Sequence, residues 1–311
     1  MFSDWINYIF VYCGLTPMKA KFLDEIIYVP FLIPFLLLEL GLRFRNRSLL
    51  GLIRSRTFVW DAVSAFFFIF GLRRILSNLF LFGGVAFLIE YVGYLQFPLA
   101  VGLPIWLRFV LAVLLYDFLS YWSHRWKHKL PLLWLSHEFH HSGERLNLLT
   151  SYRVHPTDFV YSALIVYFPV QIFFSSISET FLFGFAVSFL GYLGHARLDF
   201  GWGWLGRWVF VSPRYHHLHH STVLQEQHGN FGEILVIWDR LFGTYLGSEK
   251  SLAEIEVGLT QNSYNQGSWI KEMVLPVVAQ YQFLLRGVGD LVRRVDRLSA
   301  LVAPVRATRK K

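Results

Sequence analysis

A chain of 311 residues is long enough for one large domain or two small ones. With 54% hydrophobic, 18% aromatic and only 16% charged residues, and a mean hydropathy of +0.42, it lies outside the composition of a soluble globular domain and reads as a membrane protein. The net charge of +8 does not signal nucleic acid, because the basic residues flank apolar segments instead of interleaving with exposed aromatics; membrane lipids with anionic headgroups are the expected partner.

The first 24 residues lack the ordered basic, apolar and small-residue regions of a signal peptide. Cys13 is the single cysteine, so an intrachain disulfide and a thiolate cluster are both excluded, and any metal must be held through nitrogen and oxygen. Ile26–Leu42 is the first expected span, near the lower length limit for a hydrocarbon core of ~30 Å. Pro30 and Pro34 inside it are tolerable in a transmembrane helix. Arg43, Arg45, Arg47, Arg54 and Arg56 follow it, against Lys19 and Lys21 before it, so the positive-inside rule puts its end in the cytoplasm. Phe58–Leu72 is short, carries Asp61 and ends in Arg73-Arg74, which favours a re-entrant or interfacial helix. Ser77–Leu99 is long enough to cross outward, with Glu90 as an intramembrane carboxylate. Gln96–Pro104 turns the chain, and Leu107–Trp122 returns it to the cytoplasmic side.

The return helix delivers the chemistry. All twelve histidines lie between His124 and His228. Asp117, Tyr121, His124 and His128 share one helical face, so Asp117 is placed either to orient a histidine or to anchor the helix. Within ten residues comes the H-x-x-H-H cluster of His137, His140 and His141, and the same spacing recurs at His216, His219 and His220, with His217 rotated off that face. Packing alone gives no reason for three convergent imidazoles on one turn, since each neutral ring buries a donor and an acceptor that need partners. A metal supplies them. Between the clusters, Asp158–Phe174 and Thr180–Gly194 are apolar stretches joined by Ser175 to Glu179, so the chain goes out and comes back, bringing His195 to the side of His124 and His155. The Trp- and Gly-rich stretch Gly201–Val211 reads as interfacial.

These motifs resemble the fatty acid hydroxylase/sterol desaturase superfamily of integral-membrane di-iron oxygenases. The matching residues are D-F-L-S-Y-W-S-H-R-W-K-H (117–128), L-W-L-S-H-E-F-H-H-S (133–142), R-V-H-P (153–156), G-H-A (194–196), Y-H-H-L-H-H (215–220), H-G-N-F-G (228–232) and W-D-R-L-F-G-T-Y (238–245). The resemblance implies two iron ions, replaceable by zinc, with dioxygen as co-substrate, a lipid substrate entering from the bilayer, and an external electron donor of cytochrome b5 or ferredoxin type. Carried over residue by residue, it gives His124, His128, His137, His140, His141, His195, His216, His219 and His220 as metal ligands. Asp117, Glu138, His155, His217 and His228 would support the site from outside the ligand set, and Asp117, Glu138 and Asp199 would offset its charge. Some relatives carry a further histidine where this chain has Gly191.

The expected fold is all-α: a polytopic membrane bundle of about 4–6 spans with a histidine-rich helical cap on the cytoplasmic side holding a dinuclear metal site. Residues 1–104 form the N-terminal membrane helices, 105–247 the catalytic domain and 248–311 a basic amphipathic tail. In that tail Trp269–Leu285 would lie on the membrane surface or pack over the metal domain, and Arg286, Arg293, Arg294 and Arg297 would offer an acidic carrier a docking face. Hydroxylation of an unactivated C–H is the expected reaction, with desaturation at the same site as the alternative. From another class, His137 to His141 satisfies the H-E-x-x-H zinc-protease signature, but that reading leaves His124, His128, His216, His219 and His220 unexplained. A non-catalytic metal-binding membrane protein is the remaining alternative.

Overall fold

In the computed structural model, which describes residues 33–45, 48–69, 100, 102–170, 173, 177–198, 202–262 and 264–302, the chain folds into helices joined by loops. Among the described residues there is no strand, only the isolated bridges Phe210–Leu235 and Ser221–Val257. The expected span Ser77–Leu99, with Glu90, lies outside the described residues, as do Asp199, the first part of Ile26–Leu42 and the side chains of Arg293, Arg294 and Arg297.

Helix α1 (residues 33–45) carries Glu39 and Arg43 one turn apart, buried and paired at 2.8 Å. Arg43 donates to the Leu146 carbonyl, while Glu39 takes the Leu148 N–H at 2.9 Å. An arginine that looks like a membrane-flanking charge therefore clamps a distant loop. After α2 (Leu49–Ile53), α3 (Arg56–Ile69) buries Asp61 completely. Its carboxylate accepts from Thr150 at 2.7 Å, Asn147 at 2.8 Å and Arg153 at 3.3 Å. That inward carboxylate ties α3 to the loop after the second histidine cluster.

Helix α4 (Ile105–Lys129) is the one described helix long and apolar enough to cross a membrane. Its 25 residues reach ~37 Å at ~1.5 Å each. It stops at Leu130 because Pro131 excludes the helical conformation from the residue before it, and Leu130 is indeed extended. Pro131 then serves as the first residue of α5 (Pro131–His141), a position where its missing N–H costs nothing. The break folds α5 back on the end of α4, bringing His137 and His141 to His124 and His128.

Asn147 caps a 3-10 turn, Leu148–Tyr152, through a reciprocal capping box. His155 caps α6 (Pro156–Ser162), which runs through a π-helical turn, Ala163–Tyr167, into Phe168–Val170. Helix α7 (Ile177–His195) returns to the histidine region. Its Phe183 and Val187 pack with Ala112, Tyr116, Val166, Val170 and Ile234 in one apolar cluster. The interfacial reading of the Trp-rich stretch meets α8 (Gly203–Trp208), whose Trp204 and Trp208 are exposed.

Ser212 caps α9 (Pro213–His219), the third histidine element; α10 (Leu224–Gln227) and α11 (Ile237–Leu241) follow. Asp117 of α4 takes three donors from the α11 region, the N–H groups of Ile234 at 2.9 Å and Leu235 at 3.0 Å and the Trp238 indole at 2.8 Å. Of the two uses open to Asp117, these contacts are the anchoring one. Helix α12 (Trp269–Val302) packs one face over α5, with Met273 against Phe139 and Gln280 bonded to the Leu132 carbonyl at 3.1 Å. Its other face leaves Ile270, Val274, Val278, Tyr281 and Leu285 exposed.

Candidate metal centre

The histidine side chains converge on the inner ends of α4, α5, α7 and α9. Helical rotation decides which ring goes where. His137 and His141 of α5, one turn apart, join His124, His128 and His219 in a group whose ligand nitrogens all lie within 4.8 Å of one another. His140, turned away from that face, joins His195, His216 and His220 in a second such group. The sequence neighbours 140/141 and 219/220 are thus divided, one ring to each group. The groups also touch, since the rings of His141 and His220 stack with centroids 4.3 Å apart.

Outer hydrogen bonds fix which nitrogen faces inward. Nδ1 of His124 meets the Phe231 carbonyl at 3.0 Å, Nδ1 of His140 the Arg153 carbonyl at 3.2 Å, and Nδ1 of His219 the Gly229 carbonyl at 2.8 Å. A carbonyl only accepts, so each Nδ1 is the protonated donor and each Nε2 keeps its lone pair. His137 places Nδ1 3.2 Å from the Asp158 carboxylate, which is held in turn by Lys127 at 2.9 Å; His195 has Nδ1 3.0 Å from the Ser151 hydroxyl.

The inward nitrogens fit a metal. Nε2 of His124, His137 and His219, and both ring nitrogens of His128 and His141, are buried without a hydrogen-bond partner. Leaving that many polar atoms dry is costly unless something accepts their lone pairs. In the second group, Nε2 atoms approach one another directly, His140 to His195 at 3.2 Å, His195 to His216 at 3.0 Å and His216 to His220 at 3.2 Å. Lone pairs repel at that distance, whereas nitrogens at right angles on an ion with bonds of ~2.1 Å stand ~3 Å apart. Burial, and after it the neighbouring imidazoles, push the rings of His140, His141, His216 and His220 well below the ordinary histidine range. Burial lowers His219 to about 3. Neutral rings are the form that ligates.

A rigid outer loop presents the carbonyls. Asp239 accepts the N–H groups of Phe231 at 2.8 Å and Gly232 at 2.7 Å, the Thr244 hydroxyl at 2.6 Å, and the Tyr215 hydroxyl. Asn230, at φ 57, bonds Leu246 in both directions. A Cβ at Gly229 would stand 2.9 Å from the Thr244 carbonyl, so the loop can close there only on glycine. The H-G-N-F-G and W-D-R-L-F-G-T-Y motifs are therefore the scaffold that aims Gly229 and Phe231 at His219 and His124.

The remaining expected residues sit around this core. His155 uses both nitrogens structurally, accepting the Thr157 N–H at 3.2 Å and donating to the Met273 carbonyl at 2.9 Å. His217 donates to the His195 carbonyl at 3.2 Å, holding the end of α7. His228 is exposed, its ring 5.8 Å from that of His128. Glu138, half-buried on α5, lies beside Tyr264, whose hydroxyl is pushed upward by burial and then by that carboxylate. Asp158 and Ser151, which touch ligand-facing rings, do not stand out in the sequence; the cue for Asp158 is a lone acid opening an apolar run immediately after R-V-H-P.

His155 gives a pH prediction. Burial lowers it from 6.5 to about 4, so between those values the unfolded chain binds a proton that the folded one refuses, and stability falls as pH falls. The variant His155→Gln is expected to flatten the stability profile between pH ~6.5 and ~4 by about one proton. Unfolding of the detergent-solubilised protein across that range measures it, and an unchanged slope would contradict the assignment.

Residues 109–244 match the fatty acid hydroxylase family. An ornithine lipid hydroxylase of Rhizobium tropici is 32% identical over 157 residues, covering 50% of this chain and 47% of that protein. An alkylglycerol monooxygenase of Danio rerio is 34% identical over 140 residues, covering 43% and 30%. A Delta(7)-sterol 5(6)-desaturase of Gibberella zeae is 28% identical over 193 residues, covering 60% and 51%. The chain spans about half or less of the length of these relatives. No solved structure matches it.

Proposed function

We propose that this chain, whose residues 109–244 match the fatty acid hydroxylase family, is a membrane-bound, iron-dependent oxygenase that hydroxylates an unactivated C–H bond of a lipid. The observation that carries this reading is the division of nine imidazoles into adjoining groups of five and four, with the outward N–H groups of His124, His140 and His219 tied to carbonyls so that their lone pairs face inward. His124, His128, His137, His141 and His219 would hold one ion, and His140, His195, His216 and His220 the other.

Two irons so held would activate dioxygen with two electrons from an external donor and two protons, one oxygen entering the C–H bond as hydroxyl and the other leaving as water. The chain's own residues prepare the place. The carbonyls of Phe231, Gly229 and Arg153 keep Nε2 of three rings free of protons. Phe231 packs on His124, His128 and His219, and Trp134 on His128 and His141, excluding water from one flank. Asp158 offsets part of the cationic charge through His137.

The hydroxylase and monooxygenase relatives support hydroxylation, and the desaturase relative keeps removal of two hydrogens as the second reading. In the proposed arrangement α4 crosses the bilayer within a multi-pass bundle, and the histidine groups and C-terminus face the cytoplasm. There the basic tail beyond residue 247 would meet a cytochrome b5- or ferredoxin-like donor. Metal analysis of the purified protein is expected to give about two irons per chain, and lipidomics of expressing cells a lipid heavier by one oxygen. A reproducible value of one metal or none would sink the dinuclear reading, and a product lighter by two hydrogens would select desaturation.

A further inference from the structure

A partly buried polar cluster around Glu233 takes no part in holding the histidines. Glu233, in the loop between α10 and α11, receives the Tyr116 hydroxyl at 3.1 Å and also bonds Ser120. Tyr116 meets Tyr167 of the π-helical turn, their rings 5.8 Å apart, and Tyr167 is 41% exposed. On the opposite side the carboxylate presses on α7, where a Cβ at Gly191 would stand 3.1 Å from Oε1.

Helix geometry places this carboxylate relative to the metal groups. Ser120 is one turn of α4 before His124, about 6 Å along the axis. A Cβ at Gly191 would meet Glu233, and one at Gly194, three residues further along the same face of α7, would stand 3.3 Å from the His216 ring. Two independent helices therefore put Glu233 about one turn from the histidines, toward the apolar cluster of Ala112, Val166, Val170, Phe183, Val187 and Ile234. A polar line runs from exposed Tyr167 through Tyr116 to Glu233. Like Asp117 and Asp239 it has no cation in contact, but where those two take backbone N–H groups, Glu233, among the described residues, takes hydroxyl donors alone, with Lys127 acting at longer range.

We propose that Glu233 is a substrate-positioning residue that accepts a hydrogen bond from a polar donor group, hydroxyl or ammonium, carried by the lipid substrate. This rests on the oxygenase reading above, and it adds why a particular carbon is presented: the polar group is pinned one helical turn from the metals, and a C–H near that group faces them. Gly191 lets the carboxylate pack directly on α7, since any side chain there would crowd Oε1.

Equilibrium binding to the full-length, metal-loaded protein in nanodiscs tests this without turnover. The probes are an alkylglycerol and its di-O-methyl ether, and an ornithine-type acyl lipid and its N-acetyl derivative. Capping the donor is expected to weaken wild-type binding about tenfold for one of the pairs, which identifies whether hydroxyl or ammonium is the source. In Glu233→Gln, with metal content as in the wild type, the discrimination should fall to about twofold or less. Should that variant lose metal, Glu233→Asp, which keeps the charge but shortens the reach, is expected to lose part of the discrimination. Equal binding of capped and uncapped probes by the wild type would overturn the proposal, as would discrimination that survives in either variant. A chain that discriminates but never oxidises a lipid would instead count against the oxygenase reading.

Discussion

The variants His219→Ala and His220→Ala, one residue apart, are expected to abolish turnover while emptying different metal positions. His219 belongs with His124, His128, His137 and His141, and His220 with His140, His195 and His216. Each variant should retain about one iron per chain, and the double variant none. Because the two donor sets differ, five rings against four, the single iron left in each variant should give a distinct Mössbauer or electron paramagnetic resonance signature. Removing a ligand also strands the ring's outer partner, Gly229 for His219, so a modest loss of stability accompanies the first change. Identical spectra from the two variants would merge the groups into one site, and full activity in either would remove that histidine from the ligand set.

Arg153→Met is expected to produce the largest loss of stability, about 3–5 kcal/mol. The guanidinium is fully buried and uses nearly all its donors, bonding the Phe139 carbonyl at 2.9 Å, Ser142 at 2.7 Å, Asn265 at 2.7 Å and Asp61 at 3.3 Å, with Glu272 at 3.8 Å. It also lies 4.6 Å over the Phe139 ring. Methionine keeps much of the volume but leaves Asp61 and Glu272 without their cation, both of them carboxyls that burial already pushes upward. Removing one of those stranded charges should restore part of the loss, so the double variant Arg153→Met/Asp61→Asn is expected to be more stable than Arg153→Met alone. The backbone consequence reaches the histidine groups, because the carbonyl of the same residue holds His140. Denaturant unfolding of the solubilised protein measures both effects, and a loss below about 1 kcal/mol would show that Arg153 is not the hub its contacts indicate.

Much of the site is legible in the amino-acid sequence, because metal ligation demands particular side chains at helical spacing. The nine imidazoles that the motifs single out are the nine that converge. Period and residue type suffice for that, since i and i+4 rings on a helix share a face whatever else the helix touches. The long apolar helix that carries His124 and His128 can likewise be read from composition, and the Leu130-Pro131 break after it from proline stereochemistry.

What the sequence leaves open depends on contacts between segments far apart in the chain. Asp61 and Arg43 read as charges in or beside apolar segments, yet each is buried against the loop after the second histidine cluster, Arg43 together with Glu39. Asp117 stands equally well to orient a histidine or to anchor a helix, and only the approach of Ile234, Leu235 and Trp238 decides for the anchor. The division of 140 from 141 and of 219 from 220 needs the crossing of α5 and α9. The sequence by itself determined that this chain gathers neutral imidazoles at the end of an apolar helix, because spacing and solvent preference are local properties. Which ring joins which group, and which carbonyl fixes its proton, only the tertiary structure decided, because hydrogen bonds such as Phe231 to His124 join groups more than a hundred residues apart.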